Sequence, residues 1–131
     1  MNGSKQLLYL SAVTEALTGL VALVSPSLLA WLLFGLPLTI GGELLGRLAG
    51  CALIALAIGC WPPEDVREER APLRGLFAYN VLAAVLLLVI AVRTPFGGVL
   101  LWPAVLFHGT LSVLFFLAWR KKRSASVLSR F

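Results

Sequence analysis

Four runs of predominantly apolar residues, at 7–24, 41–61, 73–92 and 99–119, leave this chain little choice of solvent. A helix rises ~1.5 Å per residue, so each run is long enough to cross the ~30 Å hydrocarbon core of a bilayer. The runs end in helix-breaking or charged signals: Ser25-Pro26, Pro62-Pro63, Arg93-Thr94-Pro95 and the basic stretch Arg120-Lys121-Lys122-Arg123. Composition agrees, because 60% hydrophobic against 13% charged residues lies outside the range of soluble domains. The expectation is an all-α integral membrane protein, a single four-helix bundle over residues 1–131.

The segment 27–34, with Trp31 and a stop at Gly35 and Pro37, is apolar but too short to span, so it reads as an interfacial or re-entrant helix. Residues 62–72 form the one strongly charged loop, and 120–131 a basic tail. With four crossings, Lys5, Arg67, Arg70, Arg74, Arg120, Lys121, Lys122, Arg123 and Arg130 fall on one side and Arg93 flanks the other. The positive-inside rule then places both termini in the cytoplasm, in what reads as a bacterial inner membrane. The net charge of +5 sits in these clusters rather than along a stripe, which argues against a nucleic-acid partner. Glu15 interrupts the first run and no small-residue cleavage pattern follows, so that run reads as a retained span rather than a signal peptide.

Each span carries a polar residue that lipid does not tolerate well: Glu15, Arg47, Asn80 and His108. A mid-membrane charge is unfavourable by roughly 2.5–3.5 kcal/mol, so such groups face the bundle interior and pair. Counted from the end of the bundle opposite the 62–72 loop, Arg47 lies ~9 Å deep, Glu15 ~13 Å, His108 ~14 Å and Asn80 ~18 Å. These four are the candidate ligand-binding or proton-binding residues. Arg47 has two available partners, Glu43 one turn away and Glu15 on another span. Glu15 needs a tertiary partner or must give up its charge. Ser11, Ala12, Glu15, Thr18, Gly19 and Ala22 share the small, polar face of span one, opposite Leu10, Val13, Leu17 and Val21. In span two, Gly42, Gly46 and Gly50 make a small-residue stripe suited to close helix packing, within the chain or in a homodimer.

Catalytic machinery is not legible. Ser112 lies one turn from His108, but no oxyanion site accompanies it, so no catalytic residue is assigned. The two cysteines, Cys51 and Cys60, sit ~13 Å apart along one helix, cannot bridge each other, and make no metal-ligand spacing. No metal is expected, and the sequence names no cofactor.

Ala16-Leu17-Thr18-Gly19-Leu20 with Ser25-Pro26, then Leu33-Phe34-Gly35 and Gly46-Arg47-Leu48-Ala49-Gly50, resembles the small four-helix membrane proteins of the broad DoxX-like group. The resemblance covers the first half of the chain and implies a four-helix bundle of a kind sometimes linked to quinone-related or redox complexes. It carries over no catalytic residue. Tyr9 to Leu17, with Glu15, is similar to the first span of small multidrug resistance exporters, which implies proton-coupled exchange. Arg47, His108, the charged loop and the interfacial segment have no counterpart in that pattern. The leading expectation is a non-enzymatic membrane protein, either an accessory subunit of a membrane complex or a binder of a lipid-like or quinone-like molecule at a buried polar layer. A proton-coupled exporter using Glu15, and a membrane enzyme acting on a quinone or isoprenoid, are the alternatives.

Overall fold

The computed structural model describes residues 3–65 and 68–128, with side chains through 121. It is all-helical over that range: α1 Gly3–Val24, α2 Pro26–Phe34, α3 Ile40–Gly59, α4 Arg70–Arg93 and α5 Leu101–Leu128. Four of these are long and apolar enough to cross a membrane, and α2 is the short helix between the first two. Their outward faces carry exposed Leu17, Ile40, Leu45, Leu82 and Val99. Such a surface is stable only against lipid, and this is an integral membrane protein. The four tryptophans divide between the two ends, Trp31 and Trp102 beside α2, Trp61 and Trp119 beside the 60–69 connection, where interfacial aromatics belong.

Local signals explain the breaks. Pro26 occupies the first turn of α2, where its missing N–H is not needed. Gly35 ends that helix at φ 72°, a left-handed cap that L-residues with a side chain rarely adopt, and its N–H bonds the Trp31 carbonyl. Thr39 caps α3 by accepting from the Gly42 N–H at 3.3 Å.

Helix ends differ from expectation in three places. α1 begins at Gly3 because its first turn is tied down: Ser4 Oγ donates to Glu69 Oε2 at 2.6 Å and Lys5 Nζ to the Glu64 carbonyl at 2.8 Å. α4 begins at Arg70, Pro72 being tolerated in a first turn. α5 does not stop at the basic run but continues to Leu128, since no proline follows Pro103 and Arg and Lys are good helix formers that suit a C-terminal turn. Arg74 and Arg120 fold over Trp119 and Phe116, 5.9 and 5.7 Å from the ring centres. Arg67 and Arg130, counted toward orientation, lie outside the described residues.

Helices α1 and α3 form one close pair and α4 and α5 another, while α3 scarcely touches α4 or α5. The first seam owes its closeness to glycine. A Cβ on Gly50 would come within 2.6 Å of the Gly19 carbonyl oxygen, and one on Gly19 within 2.8 Å of the Gly50 carbonyl. Gly46 approaches Pro26 of α2 in the same way, at 2.5 Å. Gly42, expected in the same stripe, faces Leu38 and Thr39 of its own capping turn instead. The two pairs are welded at the 60–69 end by a core of Leu8, Cys60, Leu73, Leu76, Leu111 and Phe115. At the other end α2 bridges them, its last carbonyls accepting from the connection before α5: Gly98 N–H to Leu33 at 2.9 Å and Leu100 N–H to Leu32 at 2.8 Å. Gly98 is needed there, since a Cβ would collide with the Leu32 carbonyl.

Candidate functional site

Between the welded end and the α2 bridge, the helix pairs border an open-sided cavity of about 880 Å³ to which all five helices contribute. Its walls are chiefly aliphatic: Leu29 and Leu33 from α2, Ala49, Leu53 and Leu56 from α3, Leu82, Leu86 and Leu87 from α4, Leu100 from the connection before α5 and Ala104 from α5. Four polar residues reach it, Thr14, Thr18, Tyr79 and His108. A volume of this size, apolar with a few placed polar groups, has the character of a small-molecule site.

The polar residues are fixed by a network at the bottom of the cavity. Asn80, fully buried, donates through Nδ2 to the Leu76 carbonyl at 2.8 Å. That orients its Oδ1 toward His108 Nδ1, also at 2.8 Å. A carbonyl oxygen can only accept, so the amide orientation is dictated, and His108 Nδ1 must carry the proton of this hydrogen bond. The Tyr79 and His108 rings meet edge to face at 5.7 Å, with Phe107 edge-on at 5.6 Å from the other side. Tyr79 and the buried Glu15 carboxyl are neighbours. Glu15 Oε1, like Ser11 Oγ one turn earlier, has no hydrogen-bond partner among the described residues.

Of the four residues singled out in the sequence, three therefore gather here: Glu15, Asn80 and His108. Glu15 is 1% exposed and on the inward face anticipated for span one, with Ser11, Ala12, Gly19 and Ala22 buried beside it. Arg47 does not join them. Its side chain is half exposed and pairs with Glu43 at 3.3 Å, while Glu43 also accepts from Ser27 of α2 at 2.6 Å. The i,i+4 partner is reached without crossing the bundle, and long side chains near a span end turn outward to the interface. Glu43 thus ties α3 to α2, and Arg47, paired with it, leaves the cavity without a fixed positive charge from that position.

Tyr79 is the cavity-lining polar side chain that sequence reasoning passed over. Its signal was depth: nine residues beyond Arg70 it lies ~13 Å along α4, far from the interfacial belts where membrane tyrosines concentrate. A tyrosine at mid-span needs a polar partner, and Glu15 is that partner. Cys51 is exposed on α3 and Cys60 buried in the core, both free. No group of three or more His, Cys, Asp or Glu side chains that could hold a metal occurs among the described residues.

No protein-family model, curated protein or solved structure matches this chain. The site must speak through its own geometry. An aliphatic chamber with polar groups on one wall, and with α3 barely touching α4 or α5, can take up a molecule from the bilayer without passing it through water. Among the described residues it holds no nucleophile paired with a base: the Ser112 hydroxyl donates to the His108 carbonyl at 2.7 Å rather than to the imidazole.

Proposed function

We propose that this chain is a non-enzymatic membrane protein that binds a lipid-like small molecule in the chamber between α1–α3 and α4–α5, by itself or as an accessory subunit of a larger membrane complex. The observation that carries the reading is the chamber itself, about 880 Å³ of mostly aliphatic wall with Tyr79 and His108 held on one side. The hydrocarbon part of the ligand lies against Leu53, Leu86 and Leu100, and its polar part against His108 and Thr14. Kinship with the DoxX-like proteins belongs to the proposal, as does the address in a bacterial inner membrane. Cytoplasmic termini are supported by Lys5, Arg70, Arg74, Arg120 and Lys121 at the welded end, against Arg47 and Arg93 toward the other.

Native mass spectrometry of protein extracted gently from its own membrane tests this. The wild type should retain a small molecule that Ala104→Trp, which fills the chamber, releases. A bare wild-type chain, or a bound mass indifferent to the substitution, contradicts the reading. A stoichiometric protein partner would favour the accessory-subunit form.

Glu15 supports a second reading. A carboxyl buried in a span with an unpartnered oxygen is the kind of group a proton-coupled exporter uses. That reading requires proton-driven flux in vesicles that Glu15→Gln abolishes.

A further inference from the structure

Two polar groups of the chamber, Thr14 and His108, have their protons committed to the protein. Thr14 Oγ1 donates to the Leu10 carbonyl at 2.8 Å, while the Tyr79 hydroxyl neighbours the Glu15 carboxyl. His108 Nδ1 donates to Asn80 Oδ1, because Asn80 Nδ2 is engaged by the Leu76 carbonyl. In a neutral imidazole with Nδ1 protonated, Nε2 carries a lone pair and no hydrogen. Nε2 makes no hydrogen bond among the described residues, and it is not among the enclosed unpartnered atoms, so it keeps an open side in a residue that lines the cavity. Thr18 makes no hydrogen bond among the described residues, and its hydroxyl can donate or accept.

From this we infer that the chamber selects an amphiphile whose head group donates a hydrogen bond, an alcohol or phenol on a hydrocarbon tail, and discriminates against one whose head only accepts. His108 Nε2 receives the ligand's proton donor, with the Thr14 and Tyr79 oxygens as the secondary acceptors nearby. Seated at His108, a ketone, ether or ester head would place its lone pairs against that of Nε2 and leave both unsatisfied there, which is the costly arrangement. Asn80 acts as a positioning residue: it never meets the ligand, but it decides which imidazole nitrogen faces the chamber.

The inference rests on the proposed binding function, and a matched pair of probes separates the two. 4-Nonylphenol and its methyl ether, 4-nonylanisole, share tail and ring and differ in the single donor. Binding is measured to the full chain in nanodiscs at about pH 8, where an ordinary imidazole is neutral. The phenol should bind about tenfold tighter, the worth of one satisfied hydrogen bond, and His108→Phe should bring the ratio close to one. His108 is the chain's single histidine, so ¹⁵N-histidine labelling gives one unambiguous pair of ring signals. Those signals should show a protonated Nδ1 and a bare Nε2, with Nε2 alone moving when the phenol binds. Equal binding of phenol and anisole overturns the donor preference while leaving the chamber a binding site. A preference that survives His108→Phe, or a spectrum with Nε2 protonated, overturns the assignment to His108. Binding of neither probe overturns the inference and counts against the function on which it rests.

Discussion

The two ends of this bundle solve the same packing problem in opposite ways. Near the 60–69 connection, Leu8, Leu73, Leu76, Leu111 and Phe115 leave no room between the helix pairs. Toward α2, the pairs part around about 880 Å³, and the span between them is bridged by backbone hydrogen bonds from the connection before α5 to the end of α2. Both regions are apolar, so hydrophobicity does not distinguish them. The difference lies in side-chain size and in where the polar groups stand: bulky residues meet at the welded end, whereas alanines at 49, 52, 83 and 104 line the open one. A bundle that needed only to be stable would close both ends. The polar group of Glu15, Tyr79, Asn80 and His108 sits at the boundary, where a chamber can use it.

The sharpest way to break the contrast is to hollow out the closed end. Phe115→Ala should destabilise the protein by about 3 kcal/mol or more, because the hole left in a close-packed core is only partly refilled; thermal unfolding in detergent reads the loss. Crowding the α1–α3 seam should cost somewhat less. Gly50→Ala places a methyl group against the Gly19 backbone and should lower stability by about 1–3 kcal/mol in the same unfolding measurement. At the open end the expectation reverses. Ala104→Trp should leave thermal stability within about 1 kcal/mol of wild type while abolishing ligand retention, since the new side chain fills existing space.

Between these lies Asn80→Leu, which removes a buried hydrogen bond between membrane helices. Such bonds average about 0.6 kcal/mol, so stability should fall slightly, while the ¹⁵N signals of His108 should change from a single tautomer to a mixture. The smallest effect belongs to Arg47→Ala. An exposed i,i+4 ion pair is worth less than about 0.5 kcal/mol, and neither stability nor ligand retention should change measurably. A marked loss of binding in that variant would return Arg47 to the site.

The architecture was legible because the bilayer imposes it: spans of fixed length, proline and glycine boundaries, and charge clusters at their ends determine the helices almost without reference to contacts. The inward face of span one could likewise be read from Ser11, Glu15 and Gly19 lying on one side. Pairing across helices was another matter. Arg47 and Glu15 looked like natural partners by depth, but depth along separate helices says nothing of rotation, and Glu43 stood one turn away. Tyr79 escaped notice because tyrosine counts as hydrophobic in composition and only its depth marks it. The chamber itself is invisible in sequence, arising from how far two helix pairs part rather than from any motif.

The central claim, that the open end exists to hold a molecule from the membrane, is tested most directly by photolabelling. A hydrocarbon alcohol carrying a diazirine in its tail is incorporated with the protein in nanodiscs, and labelled positions are mapped with and without excess unlabelled alcohol. The account predicts labels on Leu53, Leu87 and Phe107 that the competitor displaces, alongside undisplaced lipid-type labelling of Leu17 and Leu45. Labels confined to lipid-facing positions, or indifferent to the competitor everywhere, would show that the chamber holds nothing.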